Sequence, residues 1–211
     1  MHFKNRKEAG QQLAKKLEWL RGQEGLLILG IPRGGVVVAY EVAKELDAPL
    51  DVFITRKIGT PHNPELAIGA AASDGTVVLD HELIQRLGVP ESYVQQETMR
   101  QSAEIQRRLR AYRGSRPDID LAGKFVILVD DGLATGATAL ASVRAIKARQ
   151  PASVVLAVPV GPADTIQKLS READQVECLY APEVFWAVGA SYAVFDQTSD
   201  AEVVQLLHGE R

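Results

Sequence analysis

Two adjacent carboxylates, Asp130 and Asp131, follow the apolar run Val126-Ile127-Leu128-Val129 and precede Gly132-Leu133-Ala134-Thr135-Gly136-Ala137-Thr138. Neighbouring acids repel each other unless hydroxyls or cations satisfy them. Carboxylates accept hydrogen bonds from sugar diols and hold the water shell of a magnesium ion, so either partner would relieve the pair. Thr135, Gly136 and Thr138 then supply two hydroxyls and a glycine at the expected start of a helix. Free backbone N–H groups there favour an anion, by about 0.3–1 kcal/mol per charge from the helix field at an exposed site. Gly136 lacks the Cβ that would hold a phosphate away from the backbone. Acids suited to a sugar, followed at once by a cradle suited to a phosphate, describe a sugar-phosphate site. Capping threonines and solvated acids would account for either feature alone, but poorly for both in this order behind a buried strand. No G-x-x-x-x-G-K-[ST] loop is present, and Gly30, Gly34 and Gly35 do not match G-x-G-x-x-G.

Those residues need a sheet to hold them. Residues 26–31 are a continuous apolar run that predicts a buried strand ending at Pro32-Arg33-Gly34-Gly35. A helix over 36–46 and a strand over 50–55 complete a βαβ unit. Ahead of it, Ala9, Leu13, Leu17 and Leu20 predict an amphipathic helix over 4–21. The texture then changes. Gly59, Pro61, Asn63 and Pro64 give 56–65 the chemistry of a loop, and 66–72 and 76–79 flank Ser73-Asp74-Gly75 as a β-hairpin. Asp80 caps a short helix to 87, and Pro90 opens a long charged helix to about 112. The α/β rhythm resumes with strands at 125–129, 153–158 and 175–179, helices at 137–149 and 162–171, and a last helix from about 199. The expected fold is α/β, with a mainly parallel central sheet flanked by helices and a small hood subdomain. The chain, 1–211, reads as a single domain with a core of about 22–57 and 122–180, an insertion of about 58–121 and a hood or tail of about 181–211. Ligands bind outside the carboxyl ends of the strands in open α/β sheets. Asp130, Asp131, the turn 32–35 and the pair Arg56-Lys57 are all expected on that edge.

The 211 residues are 46% hydrophobic and 24% charged with a net charge of −3, a balance that suits one sizeable core and lacks the basic excess of a general nucleic-acid or membrane binder. Cys178 has no second cysteine to pair with and sits in a strand-like run as a small core residue. No apolar stretch is long enough to cross a bilayer and no leader pattern opens the chain, so a cytoplasmic setting without membrane association is expected. His62, beside Pro61 and Asn63, lacks helical metal-ligand spacing and reads as a loop residue. Arg107, Arg108, Arg110, Arg113 and Arg116 gather near the end of the long helix. A solvated face complementing the helix dipole is the ordinary reading there, and a nucleic-acid patch the other.

The run from Val129 to Thr138 resembles the signature of the type I phosphoribosyltransferases, and the element order from about 26 to 179 resembles their core. The resemblance implies a Mg²⁺-dependent transferase of nucleotide metabolism. It would move the 5-phosphoribosyl group from 5-phosphoribosyl 1-diphosphate (PRPP) to a nitrogenous base and release pyrophosphate. It implies that Asp130 and Asp131 hold the ribose 2′ and 3′ hydroxyls and, through water, the metal. Ala134, Thr135, Gly136, Ala137 and Thr138 would hold the 5′-phosphate. The turn Arg33-Gly34-Gly35 would meet the pyrophosphate, with Arg56 or Lys57 as a further cation facing it. The family's mobile loop would fall on 58–79. The hood would carry Phe185, Trp186 and Tyr192, with Trp186 the candidate to stack on a nucleobase acceptor and simple packing as the alternative role. A homodimer is expected. Ala134 stands where some purine-specific members carry an acid, whereas the Arg33-Gly34-Gly35 turn is nearer to the xanthine-type enzymes, so no acceptor base follows. The competing class is a regulator that keeps the pocket as a sensor of PRPP or a nucleotide and binds RNA or protein. No helix-turn-helix segment precedes the core, which disfavours a DNA-binding version.

Overall fold

Unbroken runs of Leu, Ile and Val are stable as strands only where both faces of the sheet are covered. The computed structural model describes residues 2–64, 66–114, 116 and 119–209. Helix α1 (Arg6–Lys16) opens at Asn5, whose side chain accepts a hydrogen bond from the Glu8 N–H. It is shorter than the helix expected over 4–21, because residues 18–20 form a separate 3-10 turn that carries Leu20 into the core beside Leu17. Strand β1 (Leu26–Gly30) leads through a tight turn into α2 (Gly34–Leu46), and β2 (Leu50–Val52) returns parallel to β1 with Leu50 opposite Ile28.

The second strand stops earlier than its apolar pattern suggests. Ile54 and Ser73 exchange hydrogen bonds, the Ile54 N–H donating to Ser73 Oγ and the Ser73 N–H to the Ile54 carbonyl. This turns the chain into a separate antiparallel sheet of β3 (Thr55–Gly59), β4 (Ala67–Ala72) and β5 (Val77–Leu79). The segment expected as a loop over 56–65 therefore starts as a strand, and Glu65 lies outside the described residues. Burial explains the difference: Ile58 and Ile68 are wholly buried and pack with Val94, so this stretch has an apolar face despite its glycine and prolines. The hairpin around Ser73-Asp74-Gly75 forms as the turn residues suggest, with Gly75 at φ +83°. Asp80 caps α3 (His81–Arg86) by accepting from the Leu83 N–H, and α4 (Glu91–Arg113) is the long charged helix.

The chain then re-enters the main sheet through β6 (Phe125–Val129), α5 (Ala137–Ala148), β7 (Ser153–Val160), α6 (Ala163–Leu169) and β8 (Gln175–Tyr180), and ends on α7 (Asp200–His208). The five parallel strands lie in the order β2-β1-β6-β7-β8. Successive residues of each strand feed opposite layers, which is why the runs need no polar alternation. Leu29, Leu128 and Leu156 pack with Val143 and Ile146 of α5 on one face. Ile28, Ile127 and Val155 pack with Leu13 of α1 and Val42 of α2 on the other. The fold is α/β with a mainly parallel sheet flanked by helices.

The arginine run near the end of α4 is solvated at Arg107, Arg110 and Arg116, as expected, but is partly paired and is buried at Arg113. Arg107 and Arg108 both donate to Glu104. Arg113 lies 3.3 Å from Asp51 with side-chain exposures of only 7% and 11%. Tyr112 donates to Asp200 at 2.7 Å, which ties α4 to the start of α7.

Leu128 is wholly buried on the central strand that carries the acids. Leu128→Ala should cost about 2–5 kcal/mol by lost burial and the cavity left behind. Urea denaturation should show this as a lower midpoint with an unchanged slope.

Candidate functional site

Because β1 and β6 are neighbours, with Gly30 opposite Val129, their carboxyl ends bring the turn after β1 onto the acids after β6. The approach is close enough to require glycine. A Cβ at position 34 would overlap Asp131 Oδ2, and one at position 35 would stand 2.9 Å from Asp130 Cα and 3.0 Å from Asp130 Oδ1. The Pro32–Arg33 peptide bond in this turn is cis. Gly34, Gly35, Asp130 and Asp131, far apart in sequence, thus share one surface.

The two acids are held differently. Asp130 Oδ1 accepts from the Asp131 N–H at 2.9 Å. Asp131 Oδ2 accepts from Arg6 Nε at 2.7 Å, in an ion pair whose side chains are 12% and 15% exposed. Arg6 is itself fixed, with its guanidinium carbon 3.8 Å from the centroid of the Phe195 ring and Nη1 donating to the Asp196 carbonyl at 2.7 Å. Tyr192 donates its hydroxyl to the Asp131 carbonyl at 2.6 Å and stacks on Phe195. Burial pushes the Asp130 carboxyl well above the usual carboxylate range, and the charge of Asp131 pushes it further. Burial also raises Asp131, against the pull of Arg6. Burial, then the Asp131 charge, drives the Tyr192 phenol upward, which keeps it a proton donor.

Arg6 is the residue that sequence reasoning missed. It stands 125 positions from its partner at the start of α1, and no local spacing points to it.

Beyond the acids, Leu133 anchors the loop by burial and by donating its N–H to the Val160 carbonyl. Ala134, Thr135, Ala137 and Thr138 are exposed or partly so, and Gly136 sits at φ +73°, where side chains are disfavoured. Helix α5 starts at Ala137, so its first N–H groups face this loop. Thr165 donates to the Ala134 carbonyl, and Lys168 and Arg171 line a cavity of about 290 Å³ that Thr135 and Gly136 share.

Arg33 is the N-cap of α2, and its guanidinium lies 3.9 Å from Asp200 Oδ1 rather than against the acids. Arg56 and Lys57 correct the expectation that they close a core strand on the same sheet edge. Both lie on β3 in the separate sheet, because the chain leaves the main sheet after Val52. Arg56 donates to Gln101 of α4, and burial, followed by the nearby Arg108 charge, lowers its pKa. Lys57 lies on the opposite side of the strand and lines a cavity of about 470 Å³ that also touches Ala137 and Arg144 of α5. Phe185 and Tyr192 pack with Phe3, whereas Trp186 is 85% exposed. His62 is an exposed loop residue, and Cys178 is half-buried with its thiol pKa raised by burial. No helix among the described residues is long and apolar enough to cross a membrane.

The chain is similar to known proteins to different depths. A phosphoribosyl transferase of Mycobacterium tuberculosis (strain H37Rv), so named only provisionally, is 46% identical over 205 residues. That match covers 97% of this chain and 46% of the relative, so the chain spans about half the length of the curated relatives it matches. The crystal structure of TT1426 from Thermus thermophilus superposes with a TM-score of 0.89 at 41% identity, covering 98% of both chains. The AQ2163 protein of Aquifex aeolicus shares the fold with a TM-score of 0.51 at 13% identity, over 96% of this chain and 83% of that one. The family model of the phosphoribosyl transferase domain matches residues 2–193. That span runs from Arg6 through the glycine turn, both acids and the loop 134–138, and by it the chain belongs to the phosphoribosyl transferase domain family.

Proposed function

We propose that the chain moves the 5-phosphoribosyl group of PRPP to a nitrogenous base and releases pyrophosphate. The convergence of Gly34-Gly35, Asp130-Asp131 and the start of α5 on one sheet edge is the observation that carries this reading. The carboxylates accept the ribose 2′ and 3′ hydroxyls, which fixes the sugar. The loop 134–138 and the first N–H groups of α5 receive the 5′-phosphate, with Lys168 and Arg171 adding positive potential behind Thr135 and Gly136. The glycine turn leaves room for the diphosphate beside the acids, and Arg33 reaches it by releasing Asp200. Lys57 shares a cavity with Ala137 and is the better placed of the two β3 cations. Trp186 offers an exposed ring for a planar base. Holding both reactants in line at C1 converts a bimolecular displacement into a positioned one.

The donor set fits Mg²⁺. The side-chain atoms are carboxylate oxygens, the hard ligands this ion prefers, and a cation would offset the repulsion and burial that raise the carboxyls. Among the described residues no cluster of three His, Cys, Asp or Glu side chains forms, so such an ion would draw most of its shell from water and phosphate oxygens. When bound, Mg²⁺ supplies charge stabilisation to the departing diphosphate. The competing reading as an RNA-binding sensor leans on the arginine run near the end of α4, three of whose five cations are paired with two carboxylates, Glu104 and Asp51.

The acids generate a stability prediction. A carboxyl whose folded pKa lies above its unfolded value destabilises the fold wherever it is ionised, and that cost is relieved as pH falls through the folded value. Asp130 is such a group. Asp130→Asn should therefore raise the melting temperature of the ligand-free protein at neutral pH, by roughly 2–4 °C per kcal/mol relieved. The gain over the wild type should shrink on acidification.

Thermal unfolding with PRPP and Mg²⁺ tests the function. At 100 times its dissociation constant a ligand stabilises by about 2.7 kcal/mol, which shifts the midpoint by roughly 5–10 °C for a chain of this size. The shift should require Mg²⁺, grow with one base, and vanish in Asp130→Asn/Asp131→Asn. An undiminished shift in the double variant would remove the carboxylates from the site.

A further inference from the structure

The guanidinium of Arg6 already occupies one oxygen of the carboxylate pair. The contact is short, 2.7 Å, and mostly shielded from water. It is also clamped from behind by the Phe195 ring and the Asp196 carbonyl, so Arg6 is not a flexible surface cation that ligands displace at little cost. Gly34 presses on the same spot, since a Cβ there would lie 2.7 Å from Arg6 Nε. Asp130, by contrast, accepts from the uncharged N–H of its neighbour Asp131. One guanidinium thus offsets one of the two acids before any ligand arrives.

We propose that Arg6 is a resident cation of the sugar-phosphate site. It neutralises and orients Asp131 through one oxygen, so that Asp130 and the other oxygen of Asp131 meet the ribose diol and a single hydrated divalent cation. This deepens the transferase reading and rests on it for the sugar. The charge argument, however, concerns only Arg6 and the two acids. Arg6 acts through Asp131 and is a positioning residue. A side chain on the first turn of α1 and an aromatic ring in the C-terminal tail thereby set the cation requirement of a site built on β6. Lysine keeps the charge but lacks the planar fork, so Arg6→Lys should preserve the Mg²⁺ behaviour in part, and Arg6→Gln should not.

The test uses the whole chain and two titrations followed by thermal unfolding. In the first, Mg²⁺ alone is added to wild type, Arg6→Lys and Arg6→Gln. Arg6→Gln, whose acids have lost their cation, should gain a saturable Mg²⁺-dependent stabilisation that the wild type lacks, with Arg6→Lys between them. Equal Mg²⁺ responses in the three proteins would overturn the proposal. In the second, PRPP is titrated at fixed low and high Mg²⁺. Arg6→Gln should bind PRPP about tenfold more weakly at low Mg²⁺, because Asp131 is no longer oriented and offset, and recover at high Mg²⁺. A loss that Mg²⁺ fails to restore would make Arg6 a purely structural residue and would overturn the proposal. If the wild type itself binds no PRPP, the transferase reading fails, and the Mg²⁺-only titration still decides the role of Arg6.

Discussion

Two like charges on adjacent residues at the end of a buried strand are the constraint around which this molecule is arranged. Val129 is fully buried and Asp130 follows it directly, so the acids emerge from an apolar layer rather than from a solvated loop. Burial and mutual repulsion both work against their ionisation. Several remote features answer that one electrostatic problem. Arg6 brings a cation from the first helix, Phe195 and Asp196 bring a clamp from the tail, and Tyr192 brings a donor to the Asp131 carbonyl. Gly34 and Gly35 let the first turn lie against the acids without displacing them. The pair is compensated but not relaxed, which is the state expected of groups kept for a ligand rather than for stability.

The parallel sheet turns this local problem into a site. Placing β6 between β1 and β7 gathers the glycine turn, the acids and the start of α5 on one edge. The strands are held from both faces by helices, so the edge is rigid where the chain must present charge. The antiparallel sheet of β3, β4 and β5 lies outside this frame and carries Arg56 and Lys57 on its opposite sides, one toward α4 and one toward α5. The glycine and prolines of 56–65 read as a loop, whereas that stretch begins as β3 of a three-stranded sheet with Ile58 and Ile68 buried.

The legible and the hidden parts divide along the range of the interactions. The strand ending in Asp130-Asp131, the loop through Thr138 and the hairpin at Ser73-Asp74-Gly75 are written in contiguous residues, and each lies where its local chemistry suggests. Pairing at a distance is not written there. Nothing near Arg6 announces Asp131, and nothing in the arginine run of α4 announces that Arg113 is buried against Asp51. The end of β2 is hidden for a similar reason: Phe53 and Ile54 continue the apolar pattern, and only the exchange of hydrogen bonds between Ile54 and Ser73 shows that the chain has changed sheets. Tyr192 reads in sequence as one more hood aromatic, and its burial against Phe3 and Phe195 leaves Trp186 as the exposed ring.

The most direct test of the central claim is a crystal structure of the chain with PRPP and Mg²⁺. The account predicts the 5′-phosphate within the loop 134–138 at the start of α5, the ribose hydroxyls on Asp130 and Asp131, and Arg6 still paired with Asp131. A ligand bound away from the acids, or a phosphate outside that loop, would contradict it.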